Sequence, residues 1–367
     1  MFIEKIEKEA LLKPLQITGG IIERRQPLPI LSNVLIQKSG SQFRFVSTDL
    51  EIQITTVMAS DQSPSDESIT VAAKKLQEIL RVLPDESKVS LDIQDSKLQI
   101  KAGKSKFNLQ TLPAGDFPQV ADQLKNSEKI QLKQKQLREL LGAVQYAMAQ
   151  QDIRYYLNGV LLVVDGPVLK AVATDGHRLA YYSIALGNSH AKREIILPRK
   201  TIAELSKLLS DSDDEVTLEL AETQVRITFS DVTITSKVID GKFPDYGKVI
   251  PSHSNHVTLE RQVVQQALLR VSILSNEKFR GVRLVLTEKN LRIVSSNSEQ
   301  EEAQEDIEAE YHGPGMDIGF NVNYLLDGLN NMSSQQVVFS FGDPNSSVLI
   351  TKPGDENFKY VIMPMRI

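Results

Sequence analysis

Apolar residues along the chain recur at two spacings that alternate in blocks. Leu76, Ile79, Leu80 and Leu83 stand at i, i+3, i+4 and i+7, which predicts a helix over residues 73–83 with one buried face. The spacing returns in Leu137, Leu140, Leu141 and Val144 (helix over 134–148), in Val264, Ala267, Leu268 and Val271 (261–273), and in Val322, Leu325, Leu326 and Leu329 (322–329). Leu11, Leu12 and Leu15 give a helix over 5–15 whose last turn is weakened by Pro14. Ile202, Leu205 and Leu209 give another after Pro198-Arg199-Lys200. Between these helices lie short alternating or apolar runs that predict strands, at 34–37, 43–47, 51–58, 89–93, 98–102 and 107–112, then 157–164, 169–173, 178–184, 216–220, 225–229 and 232–238, then 282–286, 291–294, 303–307, 337–341 and 347–351.

The order helix, strands, helix, strands occurs three times. Phe45-Val46-Ser47-Thr48-Asp49-Leu50-Glu51 has the form of Ala171-Val172-Ala173-Thr174-Asp175-Gly176-His177, and Asp49 and Asp175 lie 126 residues apart. Val294-Ser295-Ser296-Asn297-Ser298-Glu299 is a worn third copy, 122 residues further on. Phe117-Pro118, Phe243-Pro244 and Met363-Pro364 close the units at intervals of 126 and 120. Solenoid repeats are shorter, about 20–50 residues. The reading is three similar α+β domains, at 1–126, 127–253 and 254–367, each able to enclose its own core.

Composition narrows the function classes. With 41% hydrophobic and 24% charged residues in 367, the chain reads as a soluble globular protein. No apolar run approaches the ~18 residues of a membrane span, and the start of the chain lacks a basic-then-apolar leader, so a cytoplasmic location is expected. Cysteine is absent, which excludes disulfides and thiolate chemistry and suits a reducing compartment. The net charge of −5 argues against holding nucleic acid by bulk electrostatics alone.

Asp175 and His177 suggest an acid/base pair, and a hydrolase is the alternative function. No G-x-S-x-G accompanies them, and the copy at Asp49 lacks the histidine, so a turn is the simpler reading. His253 and His256 fall in a polar junction without a third ligand and read as linker residues; no metal is expected. Glycine-rich phosphate cradles are absent, and no cofactor is expected. Glu299, Glu301, Glu302, Glu305, Asp306, Glu308 and Glu310 form an acidic run suited to a basic partner surface. Lys74, Lys75, Arg81, Lys133, Lys135, Arg138, Arg199, Lys200 and Lys207 lie on or beside the predicted helices, whose polar faces could form one positive surface. The helix at 322–329 contributes no base to it.

Five stretches carry a resemblance: Arg154-Tyr155-Tyr156-Leu157-Asn158-Gly159, Thr174-Asp175-Gly176-His177-Arg178-Leu179, Ser275-Asn276-Glu277-Lys278-Phe279-Arg280-Gly281, Gly319-Phe320-Asn321-Val322-Asn323-Tyr324 and Met363-Pro364-Met365-Arg366. With them the chain resembles, over its whole length, the bacterial sliding clamps, the beta subunits of DNA polymerase III. The resemblance implies the DNA clamp fold, a homodimeric ring of six domains with helices lining the hole and antiparallel sheets outside. It implies no enzyme, but a processivity factor that encircles duplex DNA without reading sequence. Its partners would be the polymerase III alpha subunit, the clamp loader and other proteins with a clamp-binding motif. Matched family positions place Arg25, Lys74, Gln151, Tyr155, Arg199 and Lys200 against DNA. They line a partner-peptide pocket with Leu157, Thr174, Gly176, His177, Arg178 and Leu179, with Pro244, Lys248, Val249 and Phe279, with Asn321, Tyr324 and Ser347, and with Val361, Ile362, Met363, Pro364, Met365 and Arg366. Lys248 stands where the family commonly has arginine, and an ammonium lacks the planar fork. Dimer contacts fall on Phe107 and Leu109 against Ile273 and Leu274, with Lys75 and Lys106 near Glu299, Glu301, Glu302 and Glu305. A repeat scaffold that binds no DNA is a further alternative.

Overall fold

The computed structural model describes residues 2–23, 27–61, 65–120, 124 and 126–366. The first repeat runs β1 (Ile3–Glu7), α1 (Lys8–Gly19), β2 (Asn33–Ser39), β3 (Gln42–Thr48), β4 (Ile52–Ala59), β5 (Glu67–Ala72), α2 (Ala73–Val82), β6 (Lys88–Gln94), β7 (Lys97–Ala102) and β8 (Ser105–Leu112). The second runs β9 (Glu128–Lys133), α3 (Gln134–Gly142), β10 (Gly159–Thr174), β11 (Arg178–Pro198), α4 (Arg199–Leu208), β12 (Glu215–Leu220), β13 (Gln224–Phe229) and β14 (Val232–Lys237). A single turn, α5 (Tyr246–Val249), precedes the third: β15 (Asn255–Glu260), α6 (Arg261–Ser272), β16 (Gly281–Thr287), β17 (Asn290–Ser296), β18 (Glu302–Glu308), β19 (Met316–Asn321), α7 (Val322–Asn330), β20 (Gln336–Phe341), β21 (Val348–Lys352) and β22 (Asp355–Ile362). The long strands β10 and β11 each stand where the other repeats have two. Their pairing shifts register around Gly166.

Each of the six longer helices begins on the residue after a strand ends, as at Glu7/Lys8, Ala72/Ala73 and Asn321/Val322. This junction corrects the predicted helix over 5–15. Residues Lys5–Glu7 are strand, with Ile6 opposite Val89 and Glu7 opposite Lys88. Past Pro14 the helix continues to Gly19, and the Thr18 hydroxyl donates to the Pro14 carbonyl (2.9 Å). The predicted helix over 134–148 stops at Gly142, and a 3-10 turn follows at Gln145–Ala147. Of the polar junction assigned to His253 and His256, the second half is strand: His256 lies in β15, its Nδ1 2.8 Å from Ser340 Oγ, whereas His253 precedes the strand with its Nε2 2.8 Å from the Ser347 carbonyl. Alternation there is carried by Val257 and Leu259 alone, too few to announce a strand.

By contacts the chain forms two compact units. The first is Met1–Leu137 with Ala203–Val238, and the second is Arg138–Ile202 with Ile239–Ile367. The first contains a 12-stranded sheet in the order β1-β6-β7-β8-β5-β2-β3-β4-β14-β13-β12-β9, so β4 of one repeat pairs with β14 of the next. Its helices bury Leu11, Leu15, Leu76 and Leu80 against Val34, Phe43, Phe45 and Ile100. The second unit has a six-stranded sheet, β10-β11-β22-β21-β20-β15, and a four-stranded one, β18-β17-β16-β19. All pairings described are antiparallel, consistent with one face apolar and one wet along strands such as β12 and β13. Among the described residues no helix is long and apolar enough to cross a membrane.

Candidate functional site

The site grows from the turn between β10 and β11. Thr174 Oγ1 donates to the Arg178 carbonyl (2.6 Å) and accepts from the Gly176 N–H (3.1 Å). Asp175 Oδ1 accepts from the N–H groups of His177 (2.9 Å) and Arg178 (3.1 Å). Gly176 takes φ +91°, a backbone conformation that suits glycine. Short polar side chains thus supply the hydrogen bonds that a tight turn leaves open. Asp175 Oδ2 accepts from Arg178 Nε (3.0 Å), so both carboxylate oxygens are engaged by the turn and its own arginine.

Arg178 is the centre of the arrangement. One terminal nitrogen donates to Asp327 Oδ2 on α7 (2.6 Å), and the other donates to the Tyr146 carbonyl (2.7 Å). Its guanidinium lies 4.5 Å from the centre of the Tyr324 ring. The side chain is only 10% exposed, which is tolerable because two carboxylates and a carbonyl surround it. Burial pushes the phenols of Tyr146 and Tyr360 beneath it well above their ordinary pKa. The Tyr360 hydroxyl donates to the Tyr324 carbonyl (2.9 Å), which anchors α7 to β22.

Strand β22 lies beside β11, with Arg178 opposite Ile362 and Leu179 opposite Val361. The residues that follow are held too: Met363 N–H donates to the His177 carbonyl (2.9 Å) and Met365 N–H to that of Gly319 (2.8 Å). Beneath them Leu157, Leu179, Phe243 and Val361 form one buried cluster, with Tyr246 and Ile250 packed against it. Leu157, Leu179, Val361 and Ile362 are therefore floor, each 2% exposed or less. Val249, Phe279 and Met363 remain exposed at 44%, 58% and 49%. Pro244, His177 and Arg366 are exposed as well, whereas Thr174 is buried and Asn321, Tyr324, Ser347, Pro364 and Met365 are half-buried. The His177 ring stacks on Tyr324 at 6.5 Å between centres. Asn321 also caps α7 by accepting from the Asn323 N–H (2.9 Å). Lys248 is largely in solvent and pairs with Asp245 (3.2 Å).

Four residues were missed by sequence reasoning: Arg154, Asp152, Tyr146 and Asp327. Arg154 chelates Asp152 through Nε (3.0 Å) and a terminal nitrogen (2.8 Å), and that terminal nitrogen also reaches the Asp175 carbonyl (3.1 Å). These bonds hold the Asp152 carboxyl down at about 2. The available signal was Arg154 itself, at the head of the Arg-Tyr-Tyr-Leu-Asn-Gly stretch. The partners of the buried Arg178 cannot be read from its neighbours in sequence, because nothing local says which carboxylate it will meet.

The remaining candidates are spread more widely. Lys74 is exposed on α2, and Arg25 lies outside the described residues. Gln151 (φ +55°) and Tyr155 (59% exposed) belong to the loop leading into β10. Arg199 and Lys200 start α4, and Arg199 also donates to the carbonyls of Met148 (3.4 Å) and Ala149 (3.3 Å). Lys75 and Lys106 are exposed; Phe107 and Leu109 are half-buried on β8, Leu274 likewise after α6, and Ile273 is 76% exposed. Glu299, Glu301 and Glu302 are exposed, but Glu305 already accepts from Arg270 within the chain (2.6 Å).

Comparisons with known proteins agree along the whole chain. Family models match three successive segments: the DNA polymerase III beta subunit N-terminal domain at residues 1–121, its central domain at 131–245 and its C-terminal domain at 247–366. The beta sliding clamp of Pseudomonas aeruginosa is 45% identical over 364 residues, 99% of each chain. That of Escherichia coli K12 is 40% identical over 363 residues, again 99% of each. A crystal structure of the P. aeruginosa clamp bound to griselimycin superposes with a TM-score of 0.95 at 45% identity, covering 99% of both chains. With its threefold α+β repeat, the chain belongs to the DNA polymerase III beta subunit family, the bacterial DNA sliding clamps.

Proposed function

We propose that the chain acts, without catalysing a reaction, as a head-to-tail homodimeric ring of domains 1–126, 127–253 and 254–367. The ring would enclose duplex DNA in the cytoplasm and tether the polymerase III alpha subunit, the clamp loader and other partners by short peptides. A ring retains DNA by topology, so a net charge of −5 is no obstacle. Arg25, Lys74, Gln151, Tyr155, Arg199 and Lys200 would make weak phosphate contacts that do not specify sequence. Two strand edges suit the dimer. β18 ends the four-stranded sheet, and, among the described residues, residues 105–110 of β8 pair with β7 alone. Lys75 and Lys106 of one copy would then face Glu299, Glu301 and Glu302 of the next.

The observation that carries the peptide reading is the second unit's buried cluster of Leu157, Leu179 and Val361, with Ile250 packed against it, next to exposed apolar side chains at Val249, which precedes Ile250, and at Met363, which follows Ile362; Phe279 is exposed as well. Apolar surface rimmed by a few polar groups is what a short extended peptide with a terminal Leu-Phe pair would bury. Two such side chains supply roughly 3–6 kcal/mol gross before ordering costs, which points to roughly micromolar affinity and ready exchange. Adaptable Met363 and Met365 let one site serve several partners. The hydrolase alternative loses its general acid/base, because Asp175 addresses the backbone N–H of His177 while the ring of His177 faces Tyr324. Retention on nicked circular DNA after loading, lost on linearisation, tests the reading. Equal retention on both forms would overturn it.

A further inference from the structure

The first unit carries a copy of the floor beneath the candidate pocket. Leu31, Leu35, Val46 and Phe117 share one buried cluster there. The residues 126 positions on, Leu157, Leu161, Val172 and Phe243, share the cluster under the pocket in the second unit. The strand pairing agrees: Gln53 on β4 lies opposite Thr235 on β14 as Leu179 on β11 lies opposite Val361 on β22, again 126 residues apart. A chain with two such floors has two places for a short apolar peptide, unless something closes one of them.

The two floors differ in chemistry. Leu179 and Val361 belong to the second cluster and Tyr181 packs against it, whereas the counterparts Gln53, Thr235 and Thr55 are buried polar residues. Gln53 Oε1 accepts from the Val120 N–H (2.9 Å), three residues after Phe117, so the chain's own backbone is tied down at the first floor. Leu179 has no acceptor to offer. In the second copy the segment after Phe243 winds into α5 instead and leaves Val249 exposed. An apolar side chain seated on the first floor would displace Val120 and strand the amide oxygen of Gln53, which is only 3% exposed. A buried acceptor without a donor weakens binding about tenfold or more. We propose that Gln53 selects between the two floors: by holding Val120 on a polar surface it closes the first to apolar peptides and leaves the second as the chain's single peptide site. The proposal rests on the peptide reading above and deepens it, because it names the residue that sets the number of sites.

Full-length protein is titrated with a peptide ending in Leu-Phe, and the number of peptides per chain is read by calorimetry. The parent is expected to bind one, and Gln53→Leu with Thr235→Val to bind two, the added site about tenfold weaker. In the background of the Met363–Ile367 deletion the same two substitutions are expected to bind one peptide where the deletion alone binds none, which separates the added site from the second floor. Gln53→Glu keeps an acceptor for Val120 and is expected to stay at one. Hydrogen exchange reads the closure itself without the double variant: in the near-isosteric Gln53→Met the Val120 amide is expected to exchange at least about fivefold faster than in the parent. Two peptides on the parent, one on the folded double variant, a second on Gln53→Glu, or unchanged exchange at Val120 in Gln53→Met would each overturn the proposal. A parent that binds no peptide would sink the peptide reading instead.

Discussion

The turn at Thr48–Ile52 and the turn at Thr174–Arg178 are the same object. Thr48 Oγ1 donates to the Ile52 carbonyl (2.9 Å) as Thr174 does to Arg178, and Asp49 Oδ1 accepts from Glu51 and Ile52 (2.9 Å each) as Asp175 does from His177 and Arg178. Leu50 takes φ +78° where Gly176 takes +91°. Each turn even receives a backbone donor from the end of the neighbouring repeat, Lys237 N–H at the end of β14 on the Glu51 carbonyl (2.8 Å) and Met363 N–H just after β22 on that of His177 (2.9 Å). The difference lies in the side chains mounted on it. Ile52 is buried, and Glu51 pairs with Lys237 in solvent. Arg178 instead reaches Asp327, and His177 and Met363 stay open to solvent. The turn is architecture, and its two copies differ in the three side chains at Leu50/Gly176, Glu51/His177 and Ile52/Arg178.

The strongest way to break the comparison is Arg178→Ala set beside Ile52→Ala. Removing Arg178 leaves Asp175, mostly buried, and Asp327, 42% exposed, without their cation, and solvent screening of Asp327 brings the expected cost to about 2–4 kcal/mol. Ile52→Ala leaves a core cavity and is expected to cost about 2–5 kcal/mol. Chemical denaturation should therefore find similar losses, while titration with a Leu-Phe peptide finds binding lost in the first variant and kept in the second. Loss of peptide binding in both would mean that stability, and not the group mounted on the turn, governs the pocket.

Much of this was legible in the residues. The stripe of Leu76, Ile79 and Leu80 marked α2 to within a residue, and the recurring Thr-Asp marked the repeat, because both depend on local spacing. The strands feeding the helices were not legible. Glu-Lys-Ile-Gln-Leu-Lys of β9 and Asn-His-Val-Thr-Leu-Glu of β15 show only two buried positions each and run into a helix with no breaker between. Glu67–Ala72 and Met316–Asn321 escaped for the same reason: each abuts its helix directly. At the pocket, the turn was readable as Asp175-Gly176, but the ring of partners around Arg178 comes from residues 146, 175 and 327. No local pattern joins positions so far apart.

A smaller effect is expected from deleting Met363–Ile367, set beside Lys237→Ala. The deletion removes the donors from Met363 and Met365, worth about 1 kcal/mol each, and takes away the exposed Met363 side chain. Calorimetry should show a loss of about 2 kcal/mol and peptide binding below detection, with the dimer intact in sedimentation. Lys237→Ala breaks only a solvent-exposed pair with Glu51, and a change within about 0.5 kcal/mol is expected, with peptide binding unaltered. Peptide binding that survives the deletion would remove residues 363–366 from the pocket.

The finest test exchanges the residues at the positive-φ position itself. A Cβ on Gly176 would lie 3.0 Å from both terminal nitrogens of Arg154, and the backbone there, at φ +91°, disfavours any side chain. Gly176→Ala is therefore expected to cost about 1 kcal/mol and to move the Arg154 guanidinium off the Asp175 carbonyl. Peptide affinity should fall a few-fold, since the shifted turn carries His177 and Arg178 with it. Leu50 already bears a side chain at φ +78° and is 38% exposed, so Leu50→Gly relieves strain, forfeits little burial and adds freedom to the unfolded chain. Those terms oppose one another, and a net change within about 1 kcal/mol is expected. If Gly176→Ala proved neutral in both stability and affinity, Arg154 would have yielded freely. The second turn would then be no more constrained than the first, and its glycine would need another explanation.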